Sequence, residues 1–176
     1  RGDGFKLMLQ LMNNARVGVG FESLGVCEAA LRLAREYAAE RASMGKTIDR
    51  HEMIADYFDE MESDIRGIRA LAVQSGYHEE MAEKLRLALT FFPPVDAQAR
   101  EAMEEDMARH RAVARRYTPL LKYLGAEKSV EMARRCLQIH GGYGYSTEYG
   151  AVRRLRDALI LPIYEGTSQI QALMAM

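Results

Sequence analysis

The sequence predicts an all-α fold: an antiparallel, four-helix bundle with short C-terminal helices and a helical insertion. Three observations carry that reading. Apolar residues recur at three- and four-residue spacing over long stretches, no stretch alternates with period two over a useful length, and the glycine and proline clusters fall between the periodic segments.

The first helix is marked by Phe21, Leu24, Cys27, Leu31, Ala34 and Ala38, one face of a 3.6-residue period. Asn13 or Asn14 is placed to cap its start, and Gly45 after Met44 suits a left-handed stop. Asp49 and Glu52 have capping-box spacing and open a second helix through Ile54, Phe58, Met61, Ile65, Ile68 and Ala72. Thr90-Phe91-Phe92-Pro93-Pro94 breaks that helix. From Asp96 to Arg116 acids precede bases, the order that suits a helix dipole, and the stretch reads as a solvated helix. Thr118-Pro119 then looks like a cap followed by a first-turn proline, opening a helix through Leu120, Leu124, Val130, Ala133 and Leu137 that stops at Gly141-Gly142. A glycine and tyrosine loop leads to a short helix over about 148–158, and a last one begins near Ser168, where Ser168 and Gln171 have capping-box spacing.

Composition narrows the function. The 176 residues fit one domain, 1–176, and a 48% hydrophobic content suffices for a core. A net charge of -1 offers nothing to draw nucleic acid or an anionic membrane surface, and no apolar run is long enough to span a membrane. Cys27 and Cys136 lie in apolar patterns and read as reduced core residues, which suits an intracellular setting. No histidine has a glutamate three residues before it, and no His-Glu-x-x-His, Gly-x-Ser-x-Gly or phosphate-loop pattern occurs; metal, hydrolase and NTPase chemistry lose support.

Three polar constellations remain, all at helix ends: Arg41-Ala42-Ser43-Met44-Gly45, Gln138-Ile139-His140-Gly141-Gly142-Tyr143-Gly144, and Tyr164-Glu165-Gly166-Thr167-Ser168-Gln169. Helix ends leave backbone groups free and glycines admit a ligand to the main chain, so each suits a phosphate-bearing cofactor. In the last, the approach Ala158-Leu159-Ile160-Leu161-Pro162-Ile163 is expected to bury Glu165, and a carboxylate withdrawn from water is a candidate proton acceptor.

At these residues the chain closely resembles the C-terminal helical domain of the acyl-CoA dehydrogenase family of flavoproteins. The resemblance begins at Gly4-Phe5-Lys6 and Arg16, runs through Arg41 to Ile48, and is densest from Gln138-Ile139-His140-Gly141-Gly142 through Arg156-Asp157 to Ile163-Tyr164-Glu165-Gly166-Thr167-Ser168-Gln169-Ile170-Gln171. It implies FAD-dependent conversion of a saturated acyl-CoA to the trans-2-enoyl-CoA, with Glu165 removing the α-proton. It implies substrate contacts at Arg16, Tyr164 and Gly166, although Arg16 is equally open to a purely structural role. Thr167 and Gln169 would face the FAD of their own subunit. Arg41, Ser43 and Met44, with Gln138, Gly141 and Gly142, would face the FAD of a neighbour. Arginine suits a pyrophosphate because its fork gives two charge-assisted hydrogen bonds. His140 is expected to be a packed spacer, and Arg156 with Asp157 an internal ion pair.

The same resemblance implies an electron-transfer flavoprotein as electron acceptor, a homodimer or homotetramer, and a cytoplasmic setting, or the mitochondrial matrix in a eukaryote. With Arg1 in place of an initiator methionine, it also implies a piece of a longer polypeptide whose N-terminal helical and middle β parts lie elsewhere, so that the piece alone is inactive. Two departures stand out: Met44 where the family pattern usually has phenylalanine, and residues 77–116, which look like an insertion or an extended helical hairpin. The rival readings are an acyl-CoA oxidase and a non-catalytic helical association module.

Overall fold

Three long helices dominate the computed structural model: α1 (Gly4–Glu40), α2 (Glu52–Phe91) and α3 (Ala97–His140). The structure describes residues 2 and 4–176, with the backbone alone at 6, 7, 9 and 10, so Arg1 and the Lys6 side chain lie outside the described residues. Short connections make consecutive long helices antiparallel, and α3 packs along both α1 and α2. Three short helices follow: α4 (Gly142–Tyr145), α5 (Ala151–Ala158) and α6 (Ser168–Ala175), of which α5 and α6 lie against α3. The one described sheet is a two-stranded ribbon, β1 (Ala42–Ser43) with β2 (Lys46–Thr47).

The apolar stripes of α1 and α2 form the core. Leu24, Cys27, Leu31, Ala34 and Ala38 meet Phe58, Met61, Ile65, Ile68 and Ala72, while Phe21 at the same spacing is exposed. Burying such side chains contributes about 1.5–3 kcal/mol each for the larger ones, which is why these helices hold without strong end signals. Gly20 lets α1 approach α3 closely, since a Cβ there would stand 2.4 Å from Leu121 Cδ2. Ion pairs such as Arg35–Glu62 at 2.6 Å and Lys128–Asp64 at 2.8 Å lace the helices together at the surface.

Several helix boundaries differ from those the sequence predicts. α1 begins at Gly4, so Asn13 and Asn14 lie within it, and it ends at Glu40, before the expected stop. Met44 (φ 50°) and Gly45 (φ 81°) instead form the two-residue turn of the ribbon, where both central residues need positive φ. Asp49 lies in a short 3-10 turn, and His51 caps α2 without a side-chain bond.

The largest difference is at Thr118-Pro119, which starts nothing: α3 runs unbroken through it, joining the solvated segment to the segment after it. The inward face of α3 is Thr118, Lys122, Gly125, Ser129, Met132 and Cys136, all buried, whereas Leu124 is exposed and Leu120 half-buried. Packing on this face holds the helix across the proline, despite the lost amide donor. Asp96 caps its start by accepting from Ala99 N at 2.8 Å. Residues 77–116 are the far ends of α2 and α3 with the turn between them. α5 begins at Ala151 after Gly150, three residues later than expected. Asp157 lies on the surface, 3.9 Å from Arg153, and Arg156 is exposed, so no internal pair joins Arg156 to Asp157.

Candidate functional site

The segment between α5 and α6 turns back into the bundle at a hinge. Glu165 has φ 56° and Gly166 φ 95°, so two successive residues are left-handed, and the first is not glycine. Such a residue costs of order 1–3 kcal/mol and persists only where its surroundings hold it.

The holding groups are visible. Arg16, buried on α1, donates from Nε to the Glu165 carbonyl at 3.2 Å and from Nη1 to Asn13 Oδ1 at 3.1 Å. Gln171, fully buried on α6, donates from Nε2 to the same carbonyl at 3.0 Å. Lys122, fully buried on α3, donates to the next carbonyl, that of Gly166, at 2.7 Å. Burial, and then the Arg16 guanidinium beside it, pull the Lys122 ammonium below the usual lysine range, against the opposing pull of Glu127 and Glu165. The backbone of the hinge is thus tied from three helices, whereas Glu165 Oε2 is buried and has no hydrogen-bond partner.

Around the hinge, Tyr164 donates its hydroxyl to Glu22 Oε2 at 2.6 Å, and burial followed by that bond pushes the phenol up to about 12. Ser168 does not cap α6; it donates to Glu127 on α3, while Thr167 occupies the N-cap position without a side-chain bond. Thr167 and Gln169 are exposed, and Ser168 and Gln171 face inward. The apolar approach shelters less than expected. Leu161 is buried beside Val19 and Ala126, but Leu159, Ile160 and Ile163 are each more than half exposed.

The other predicted residues gather at the far end of α3, about 27 Å of helix rise from Lys122 to His140. There a hollow of roughly 540 Å³ is lined by Tyr37, Arg41, Ser43, His140, Gly141, Gly142 and Tyr143, among others. The Arg41 guanidinium lies 5.4 Å from the Tyr143 ring centroid. A Cβ at Gly141 or Gly142 would meet nothing within 4 Å, so the backbone there borders open space. Met44, 91% exposed at the ribbon tip, and the exposed Gln138 are neighbours in sequence of this hollow but do not line it. His140 forms its wall: it stacks on Tyr37 at 4.3 Å, and Nδ1–H donates to the Cys136 carbonyl at 2.7 Å. Burial holds its ring below the ordinary histidine range, and Nε2 is buried without a partner.

The twelve predicted residues therefore fall into two groups: Arg16, Tyr164, Glu165, Gly166, Thr167 and Gln169 at the hinge, and Arg41, Ser43, Met44, Gln138, Gly141 and Gly142 around or near the hollow. Lys122 and the anchoring role of Gln171 were not foreseen. The available signal was the spacing Thr118, Lys122, Gly125, Ser129, a helix face on which a lysine is unexpected once small residues are counted as inward.

Comparison with known proteins adds to this geometry. The family model described as "Acyl-CoA dehydrogenase, C-terminal domain" matches residues 2–90 and 95–176. The chain is 30% identical over 170 residues to the short-chain-specific acyl-CoA dehydrogenase of Megasphaera elsdenii, covering 97% of this chain and 37% of that protein. It is 30% identical over 169 residues to the acryloyl-CoA reductase (NADH) of Anaerotignum propionicum, covering 96% and 36%. It superposes on the structure of butyryl-CoA dehydrogenase from Megasphaera elsdenii with a TM-score of 0.73 at 27% identity, over 99% of this chain and 38% of that one. The chain spans little more than a third of the length of each.

Proposed function

The chain belongs to the acyl-CoA dehydrogenase family, as its C-terminal domain, and on that premise we propose that it supplies the proton-accepting base and part of the FAD site of a flavoenzyme that oxidises a saturated acyl-CoA to the trans-2-enoyl-CoA. One observation carries the proposal: the Glu165 carbonyl is held from α1 and α6 and that of Gly166 from α3, while Glu165 Oε2 stays buried and unpartnered.

An α-proton beside a thioester is weakly acidic, so the base must be held in reach and kept from solvent. The Glu165 carboxylate takes that proton. Its rigid hinge fixes where the carboxylate stands, and Gly166 leaves the adjoining backbone free of a side chain. Tyr164, tied to Glu22, closes one flank. As the α-proton passes to Glu165, the β-hydrogen departs with its electron pair and the carbon–carbon double bond forms; bound FAD supplies the two-electron acceptor.

The hollow fits the phosphate-bearing part of that cofactor. Arg41 offers a forked cation, Ser43 a hydroxyl, and the Gly141-Gly142 turn a bare backbone with open space before it. Thr167, at the N-cap of α6, and Gln169, on its first turn, are exposed and would face a bound flavin. With hinge and hollow at separate places along α3, the reading includes a homodimer or homotetramer in which the hollow serves a neighbour's FAD, and an electron-transfer flavoprotein as acceptor. The resemblance to an acryloyl-CoA reductase favours a second direction as well, in which protonated Glu165 returns its proton to the α-carbon of an enoyl-CoA while a reduced flavin, if bound, would supply the hydride to the β-carbon.

The test is Glu165→Gln in the full-length enzyme. The flavin is expected to remain bound while its reduction by acyl-CoA slows by about 10²- to 10⁴-fold. Reduction at the wild-type rate would move the base elsewhere. Peroxide formation without an added acceptor would assign the oxidase reaction, and a full-length protein that binds neither flavin nor acyl-CoA would leave the association module.

A further inference from the structure

We infer that Lys122 is a positioning residue for the base: its ammonium, sealed inside the bundle, holds the Gly166 carbonyl and thereby fixes the left-handed hinge on which Glu165 stands. The inference rests on the proposed role of Glu165.

Lysine is almost never fully buried unless paired, and removing an ammonium from water is costly. Lys122 has no exposed surface, yet its hydrogen-bond partner is a main-chain carbonyl, at 2.7 Å, rather than a carboxylate. For stability alone an apolar side chain on this face of α3 would serve as well or better. The position of the cation points to another use. Arg16 places a second buried cation on the preceding carbonyl, and the two positive groups lie close enough to disfavour each other. Two mutually repelling cations on consecutive carbonyls turn both peptide oxygens inward. Because the N–H of a planar trans peptide opposes its C=O, the amides of Gly166 and Thr167 are turned the other way. Those two amides and that of Glu165 bond to no backbone oxygen among the described residues.

The ionisable groups around the hinge are Arg16, Glu22 and Tyr164, Glu127, and Glu165 itself. Lys122 is attracted by both Glu127 and Glu165, which offsets part of the cost of burying its charge beside Arg16.

The experiment uses the full-length flavoenzyme and the straight-chain acyl-CoA that reduces its flavin fastest. Lys122→Met is expected to keep its flavin and to lower the reduction rate by about 10- to 100-fold with little change in KM. Lys122→Gln retains a donor without the charge; it should recover most of the rate. A Met variant with the wild-type rate overturns the inference. So does one that loses only thermal stability or flavin content. If the Met variant does not fold, the Gln variant decides: a flavin-bound Gln variant slowed by about 10-fold or more, although it keeps a donor, overturns the inference. Glu165→Gln separates the two readings. Wild-type reduction in that variant removes the base itself, whereas its inactivity beside a normal Lys122→Met removes only the role of Lys122.

Discussion

Gln171 is wedged against Gly166: its Nε2 donates to the Glu165 carbonyl at 3.0 Å, and a Cβ on residue 166 would stand 2.4 Å from that same nitrogen. The bond that holds the Glu165 carbonyl and the space that admits no side chain are two sides of one contact.

Gly166→Ala should therefore disturb both fold and chemistry. The left-handed φ and the collision with a fully buried side chain predict a loss of about 1–3 kcal/mol, read from urea unfolding. Gly142→Ala is the contrast, since its Cβ meets nothing within 4 Å. It should change stability by less than about 0.5 kcal/mol while weakening FAD binding in the full-length enzyme, measured by flavin retention on dilution.

Acid should loosen the bundle through its histidines. Burial lowers both His140 and His78, so the unfolded chain, titrating near about 6.5, takes up protons before the folded one does. Stability is full above that value and declines as pH falls toward the folded values. The urea midpoint should drop across this window, and His140→Phe, which keeps a ring on Tyr37, should reduce the slope. A midpoint flat from neutral to mildly acid pH would remove this account.

Both thiols should be silent in the native protein. Burial pushes Cys136 up to about 11 and Cys27 up to about 12, and neither side chain has exposed surface. A maleimide at about pH 8 should label neither until denaturant is added, after which both react. Mass spectrometry before and after unfolding reads the result; labelling of the folded chain would contradict the packing described.

Much of the fold was legible because α1 and α2 bury ordinary apolar stripes, and a period of three and four residues identifies them directly. α3 was misread as two helices for a physical reason. Its inward face is built from Thr118, Lys122, Gly125 and Ser129, small or polar groups that a search for apolar residues passes over, and Pro119 sits where packing rather than hydrogen bonding keeps the helix whole. The hinge was legible as a string of residues, but its supports were only half so. Arg16 carries a resemblance, whereas a lysine inside a core is invisible to periodicity, which assigns charge to the surface. The run 159–163 shows the opposite error: apolar composition predicted burial, yet most of those side chains point away from the bundle.

α3 also fixes a length. It carries Lys122, which holds the hinge, and ends at the Gly141 turn beside the hollow, with no loop between them to absorb a change. Deleting one residue from 123–140 would rotate one end against the other by about 100° and shift it by about 1.5 Å. That stretch accepts exchanges of side chain but no gain or loss of residues, like the fixed bar of a gauge. The turn between α2 and α3 is under no such constraint. The family model runs without interruption from 95 to 176 and breaks at 91–94, where a change in chain length leaves both ends of the gauge in register.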